Sequence, residues 1–411
     1  MHFKTGHFIQ SYYDPAFYNC LRIALEKDRK LDGLRGIAAL GVFLAHFLLS
    51  FFPAGFTHYY DWVANSHALN GTIEHIISTP LISVLWNGGF QVYIFFVLSG
   101  YVLTLPFEIS NDTASLKNRA AKRLVRLGIP VFASVVLSYL AMLAALYSFV
   151  QTAGITGSVW LLGQAPREPH LSTVLSEALY GVLLKGEATY NPILWTMRVE
   201  LIGSMLIFAY RLLAWRGRAA WLSVCIFLIL VTTNATTQWP AYVAFLIGSY
   251  MAGWKTPRAP WASWAVGAIG LAIASIDNNI DLGLLADLDA FSANRQNIIN
   301  LIGGSLVVYS VKGGAGARLL LSRPVQFIGK VSYSFYLIHL VFILSLSCSL
   351  FNWLVGPGAV ARGPAALLTL AVTLPLLYLA AWAFERWIDQ PTVRLCQRIR
   401  ATPNGVSIRS P

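Results

Sequence analysis

The chain has 411 residues, 56% of them hydrophobic and only 12% charged, and a formal net charge of +12. An ordinary soluble domain carries roughly a quarter charged residues, and a water-soluble fold of this length could not hide so much apolar surface. Composition therefore excludes a soluble globular protein and predicts an all-α, polytopic integral membrane protein of about ten transmembrane helices.

About 20 mostly apolar residues cross a bilayer core as a helix, and ten charge-poor runs meet or approach that length. In chain order they are Leu34–Phe52, Leu85–Leu105, Leu127–Val150, Ile193–Trp215, Ala220–Asn234, Trp239–Gly253, Pro260–Ile276, Asn297–Val311, Val331–Leu350 and Pro364–Ile388. Those beginning at Ala220, Trp239 and Asn297 are short. Two long loops, Pro53–Val84 and Gln151–Asn191, lie on one side. His58, His67 and His75 in the first loop lack metal spacing and read as exposed, while Leu171–Leu184 in the second reads as an amphipathic surface helix in preference to a re-entrant segment.

Cytoplasmic loops collect Lys and Arg. With the N-terminus inside, all but five of the 30 basic residues fall on the inner side; Arg167, Lys185, Arg295 and Arg362 lie outside and Arg198 lies within the fourth span. Both termini are thus expected in the cytoplasm of an inner-membrane protein, with 1–30 as a cytoplasmic segment, 31–394 as the transmembrane domain and 395–411 as a short basic tail. The positive charge is a topological signal with a possible affinity for anionic lipid headgroups, and nucleic acid is not an expected partner. Met1–Arg29 has no apolar core followed by a small-residue cleavage site, so the first span reads as an uncleaved anchor. Cys20, Cys225, Cys348 and Cys396 show no CxxC spacing, which points to neither a disulfide framework nor a metal site.

An ionisable group at mid-membrane costs about 2.5–3.5 kcal/mol on insertion scales, so each one retained is a candidate functional residue. His46, Arg198, Glu200 and His339 qualify. Arg35 precedes His46 by eleven residues, a rotation that leaves them only about 20° apart on one helix face, with His46 roughly 16 Å deeper. The pair is either a snorkelling arginine with a packed histidine, or a phosphate anchor at the rim with a base at depth. Glu200 lies about 10 Å below the outer surface by helix rise. Arg198, two residues away, points elsewhere, so Glu200 needs a partner on another helix, either His46 or an arginine. His339 reads as a structural polar residue between helices. Arg119, Arg123 and Arg126 share a face at i, i+4 and i+7; such runs are mostly topogenic, yet this one also suits a multiply charged phosphate ligand.

Six segments then carry a family resemblance. LDGLRGIAAL (Leu31–Leu40) running to His46 resembles the opening helix of the acyltransferase 3 family, with its Arg and His separated by ten residues. Gly89-Phe90 with IFFVLSGY (Ile94–Tyr101), RLVR (Arg123–Arg126) with Pro130, LWTMRVE (Leu194–Glu200), GKVSYSFYLIH (Gly329–His339) and WIDQP (Trp387–Pro391) are similar, in order, to later family segments. Tyr93 stands where that family often has Asp, Arg198 where a small residue is usual, and Asp389 where Glu is expected.

The resemblance implies transfer of an acyl group, most typically acetyl from cytoplasmic acetyl-CoA, to a hydroxyl of a carbohydrate or lipid-linked acceptor such as a surface polysaccharide. It implies His46, Arg35 and Glu200 as catalytic residues. CoA phosphates would meet Arg35, Arg119, Arg123 and Arg126, and Ser99 is either helix packing or part of the donor tunnel. His46 would act as general base oriented by Glu200, or carry the acyl group covalently. A transporter or flippase competes, although no inverted repeat is visible, and so does a non-catalytic membrane partner that would tolerate changes at His46 and Arg35.

Overall fold

Lipid offers the backbone no hydrogen-bond partner, so a chain this apolar must satisfy its own amides within helices. The computed structural model describes residues 15–69, 71–110, 113–164, 168–214, 225, 228, 238–277 and 294–398, with side chains from residue 29 onward apart from those of residues 110, 115 and 214. Among the described residues the regular structure is helical, apart from one isolated bridge between Ala64 and Ser158. The helices that frame the protein are α1 (Pro15–Phe51), α2 (Gly88–Ser110), α3 (Thr113–Leu143), α4 (Trp195–Ala214), α5 (Trp239–Met251), α6 (Pro260–Ala274), α7 (Arg295–Lys312), α8 (Arg323–Phe342), α9 (Arg362–Phe384) and α10 (Gln390–Arg398).

Six helices among the described residues are long and apolar enough to cross a membrane: Arg29–Phe51, Gly88–Ile109, Leu116–Leu143, Pro192–Leu213, Arg323–Val355 and Arg362–Arg398. The chain is thus a helical multi-pass membrane protein, with six clear spans where the sequence predicts ten. The predicted run Ala220–Asn234 falls almost wholly outside the described residues. The runs at Trp239 and Pro260 form helices of 13 and 15 residues; at about 1.5 Å per residue these fall short of a core about 30 Å thick. Helix α7 reaches 18 residues, but its first turns carry Arg295, Gln296, Asn297 and Asn300. The last two long spans are each assembled from two α segments joined by a π turn, at Ile343–Ser347 and Glu385–Asp389.

Helices α1 and α8 pack unusually closely. A Cβ on Gly36 would stand 2.5 Å from the Gly329 nitrogen, and one on Gly329 would stand 2.4 Å from the Asp32 carbonyl oxygen. Glycine alone permits this approach, and small residues are the usual means of joining helices where lipid removes the hydrophobic drive. The two helices run parallel, because their contacts climb in step: Arg29 with Gln326, Gly36 with Gly329, Phe43 with Phe335, and His46 with His339. Gly100 and Gly248 join α2 to α5 in the same way.

The two long loops fold down over the C-terminal end of α1. A helix leaves its last four carbonyls without intrahelical partners; here Ser158 Oγ donates to Leu49 O at 2.8 Å, Thr156 Oγ1 to Ser50 O at 2.9 Å, and Arg362 Nε to Phe51 O at 2.9 Å. The loops also join each other, since Asn65 N donates to Gly157 O at 3.0 Å. His67 and His75 are exposed as expected, but His58 is buried beside the Tyr59 ring. Leu171–Leu184 is helical, as Leu171–Ser176 followed by the π segment Glu177–Lys185. Its outward side chains Leu171, Leu175, Leu179 and Leu184 are nonetheless apolar, and Val174, Ala178 and Val182 are buried. The exposed side mixes these leucines with Ser172 and Thr173, as an interfacial position would allow.

The α1–α8 contact yields a prediction. Gly329→Ala forces backbone apart, and overpacking of this kind costs about 1–3 kcal/mol. The unfolding midpoint of the detergent-solubilised protein should fall, whereas Gly154→Ala, with nothing within 4 Å of the added methyl, should leave it unchanged. Equal midpoints for the two variants would contradict the close crossing.

Candidate active site

Two cavities lie along the shared face of α1, α2, α4 and α8. The first, of about 280 Å³, is lined by Arg35 of α1, Ser99 of α2, Arg123 and Arg126 of α3, Glu200 of α4 and Tyr333 of α8, among others. The second, of about 350 Å³, is lined by His46 together with Tyr59, Trp62, Trp86, Trp160 and Trp195 and further residues of the loop-bearing side. Val92 and Tyr336 line both. They form the partition between a basic compartment and an aromatic one.

In the basic compartment each arginine has a carboxylate. Arg35 Nη1 lies 3.2 Å from Asp32 Oδ1, Arg123 pairs with Glu200, and Arg126 grips Asp389 with two nitrogens while its guanidinium sits 5.1 Å from the Tyr333 ring centroid. Ser99 Oγ donates to Glu200 Oε1 at 2.6 Å, and Arg123 Nε to Ser204 Oγ at 2.8 Å. These bonds correct one expectation: Glu200 does not orient His46. Its carboxylate is drawn to the nearest strong cation, because a buried charge is tolerable only when paired, and Arg123 with Ser99 supplies the pairing. Arg198, two residues before Glu200, donates to Leu184 O at 3.3 Å and so satisfies the end of the π segment. Arg119 lies outside the cavity lining.

The partner of His46 is His339. His46 Nδ1 and His339 Nε2 are 2.9 Å apart, and His339 Nδ1 lies 2.7 Å from the Tyr336 carbonyl oxygen. That carbonyl can only accept, so His339 carries its proton on Nδ1. With both rings neutral, His339 Nε2 accepts from His46 Nδ1–H, and the lone pair of His46 is left on Nε2. The ring beyond is Trp160, stacked on His46 with centroids 5.2 Å apart and planes 16° from parallel. Trp160 stands two residues after Ser158, whose bond to Leu49 O anchors it above the end of α1.

His339, Trp160 and Tyr336 are thus site features that reading the residues one by one misses. A signal for His339 exists in the sequence: Gly36 to His46 and Gly329 to His339 are equal steps of ten, which matters once the helices are known to be parallel and in contact at the glycines. Nothing local marks Trp160, because its position is set by a cap on a helix far away in sequence.

The compartments suit two different ligands. An acyl-CoA brings phosphates and a thioester on a long flexible arm. An arginine has five N–H donors, so Arg123 and Arg126 retain donors beyond those spent on Glu200, Ser204 and Asp389. Among the described residues no group of three or more His, Cys, Asp or Glu gathers that could hold a metal ion.

The Arg123–Glu200 pair can be tested apart from catalysis. Removing one partner of a buried ion pair costs about 3–5 kcal/mol, less where, as here, each side chain remains 13% exposed. Glu200→Gln should lower the unfolding midpoint, and Arg123→Met combined with Glu200→Gln should restore much of it. A midpoint unchanged by Glu200→Gln would contradict the structural role of the pair.

Comparison with known proteins places the chain among acyltransferases. Acyltransferase R4 from Phoma sp. (strain ATCC 20986 / MF5453) is 21% identical over 90% of this chain and 95% of its own length. Acyltransferase clz18 from Cochliobolus lunatus is 22% identical over 88% of this chain and 93% of its own length. O-acetyltransferase PaAT-1 from Phomopsis amygdali is 26% identical over 46% of this chain, and that alignment spans 41% of the relative. No solved structure matches. The profile of the family described as "Acyltransferase domain" matches residues 28–384, nearly the whole described chain, and the protein therefore belongs to this acyltransferase family.

Proposed function

We propose that the protein is a membrane O-acyltransferase that moves a short acyl group, acetyl foremost, from a cytoplasmic acyl-CoA to a hydroxyl on a carbohydrate or other alcohol. The donor enters the basic compartment and the acceptor occupies the aromatic one. The observation that carries this reading is the relay from the Tyr336 carbonyl through His339 to His46, which leaves an unprotonated His46 Nε2 beside the acceptor cavity. The small basic compartment favours a short chain, and one relative is named an O-acetyltransferase. Excess Lys and Arg at the basic end favours an orientation with that end in the cytoplasm of the inner membrane and both termini inside.

In this reading His46 Nε2 takes the proton of the acceptor hydroxyl as its oxygen attacks the thioester carbonyl carbon. A C–O bond forms, the C–S bond breaks, and the imidazolium returns its proton to the departing thiolate, so that ester and free thiol leave. His339 holds the ring in the working tautomer and accepts a hydrogen bond that strengthens as His46 becomes cationic, the part that a carboxylate plays in hydrolase triads. Tyr336 contributes the carbonyl that fixes His339. Its hydroxyl, 2.9 Å from Thr196 Oγ1, holds the partition in place. Arg35, Arg123 and Arg126 anchor donor phosphate at the rim, and Ser99 with Glu200 holds Arg123 in position.

In membrane vesicles supplied with labelled acetyl-CoA and candidate alcohols, His46→Ala should lower transfer at least a hundredfold, within the 10²–10⁴ range of a general base. His339→Ala should act mainly on kcat, and His339→Gln, whose amide oxygen can still accept from His46 Nδ1–H, should recover part of the loss. Activity near wild type in His46→Ala would end this mechanism.

A further inference from the structure

The two compartments divide charge unequally. The basic one holds three arginines and Glu200, whereas the described lining of the aromatic one contains no Arg, Lys, Asp or Glu. Apart from His46, its polar side-chain groups are tyrosine hydroxyls, tryptophan indole N–H groups and the amides of Asn87, Gln164 and Asn297. Two of these amides are already engaged: Asn87 Nδ2 donates to Ala274 O at 3.1 Å and Asn300 Oδ1 at 3.0 Å, and Gln164 Nε2 to Trp160 O at 2.8 Å. The rest of the wall is aromatic rings interleaved with aliphatic side chains and glycine.

Such a wall selects by charge. An anion entering it loses hydration and finds no described cation in return. Aromatic faces alone would attract a cation, but His46 gains a proton each time it acts as base, and that charge repels one. An uncharged guest has no such conflict. Ring faces of Trp160, Trp86 and Trp195 offer stacking area to the C–H face of a sugar or fused ring. At about 350 Å³ the cavity sits near the lower end of the roughly 300–1,000 Å³ typical of small-ligand sites.

We infer that the part of the acceptor held against His46 is an uncharged, hydroxyl-bearing ring system, a neutral glycoside or fused-ring alcohol, and not an acidic sugar or a phosphate-bearing headgroup. This rests on assigning the aromatic compartment to the acceptor. The hydroxyl to be acylated lies at the edge of the ring that stacks beside Trp160, which makes Trp160 a residue that determines specificity and leaves the proton transfer to His46.

The test uses the full chain in nanodiscs of neutral phospholipid, without donor, titrated calorimetrically with phenyl β-D-glucopyranoside and phenyl β-D-glucuronide. The glucoside should bind at least tenfold more tightly than the glucuronide, and Trp160→Ala should weaken it at least fivefold. Trp62→Arg, at a lining position 61% exposed and so tolerant of change, should raise glucuronide affinity at least fivefold. Equal or tighter binding of the glucuronide, or no glucoside binding, overturns the inference. Acetyl-CoA titrated into the same preparation reports the donor side separately. If it fails to bind while the glucoside does, the transfer reading falls and the neutral-guest cavity stands; if it binds and the glucuronide is preferred, only the cavity's charge selectivity falls.

Discussion

The site depends on one contact, the meeting of Gly36 and Gly329 where α1 crosses α8. Inside a bilayer, helices gain little by hiding apolar side chains from one another, so packing at short range decides which faces meet. Two glycines bring the backbones together and fix both register and rotation. Ten residues further along each parallel helix, about 15 Å by helix rise, the same geometry delivers His46 to His339 within hydrogen-bond distance. Neither histidine needs a flexible search for its partner, and neither can leave without parting the helices.

Charge is handled by pairing on one side of the partition and by exclusion on the other. Arg35, Arg123 and Arg126 each meet a carboxylate, which makes their presence within an apolar bundle tolerable and keeps their donors oriented for a further anion. The compartment beyond Val92 and Tyr336 has no ionised side chain in its described lining, and its aromatic rings keep the surroundings of His46 apolar. Hydrogen bonds and charges act more strongly where the dielectric is low, so the His46–His339 hydrogen bond gains strength from these apolar surroundings. The loops complete this arrangement: in capping the carbonyls of Leu49 and Ser50 they set Trp160 over the His46 ring.

A great deal of this was legible in the residues. Hydropathy alone identifies the six long spans, since each contains an apolar stretch, poor in charge, whose length the bilayer dictates. The cost of burying charge singles out His46, Glu200, Arg198 and His339, and the helical period puts Arg35 on the His46 face. The ordered motifs from Leu31 to Pro391 point to the family that the domain match establishes. Where sequence reading overshot, the cause is equally physical. The 13-residue run at Trp239 is apolar because neighbouring helices cover it, which hydropathy cannot tell apart from lipid; the 15-residue run at Pro260 leaves Trp261, Trp264 and Ile269 exposed and is simply shorter than a bilayer core.

What the sequence by itself determined is every property that depends on a residue's own neighbours along the chain: helix, span, face and the presence of unusual charge. Partnership is a different kind of fact. Glu200 had two chemically reasonable partners, and only the approach of α3 to α4 decided for Arg123 over His46. His339 looked like a packing residue until the parallel α1–α8 crossing put it beside His46, and Trp160 had no mark at all. Each of these depends on contacts made across many residues of chain, and such contacts are chosen by how the helices pack, which no local pattern encodes.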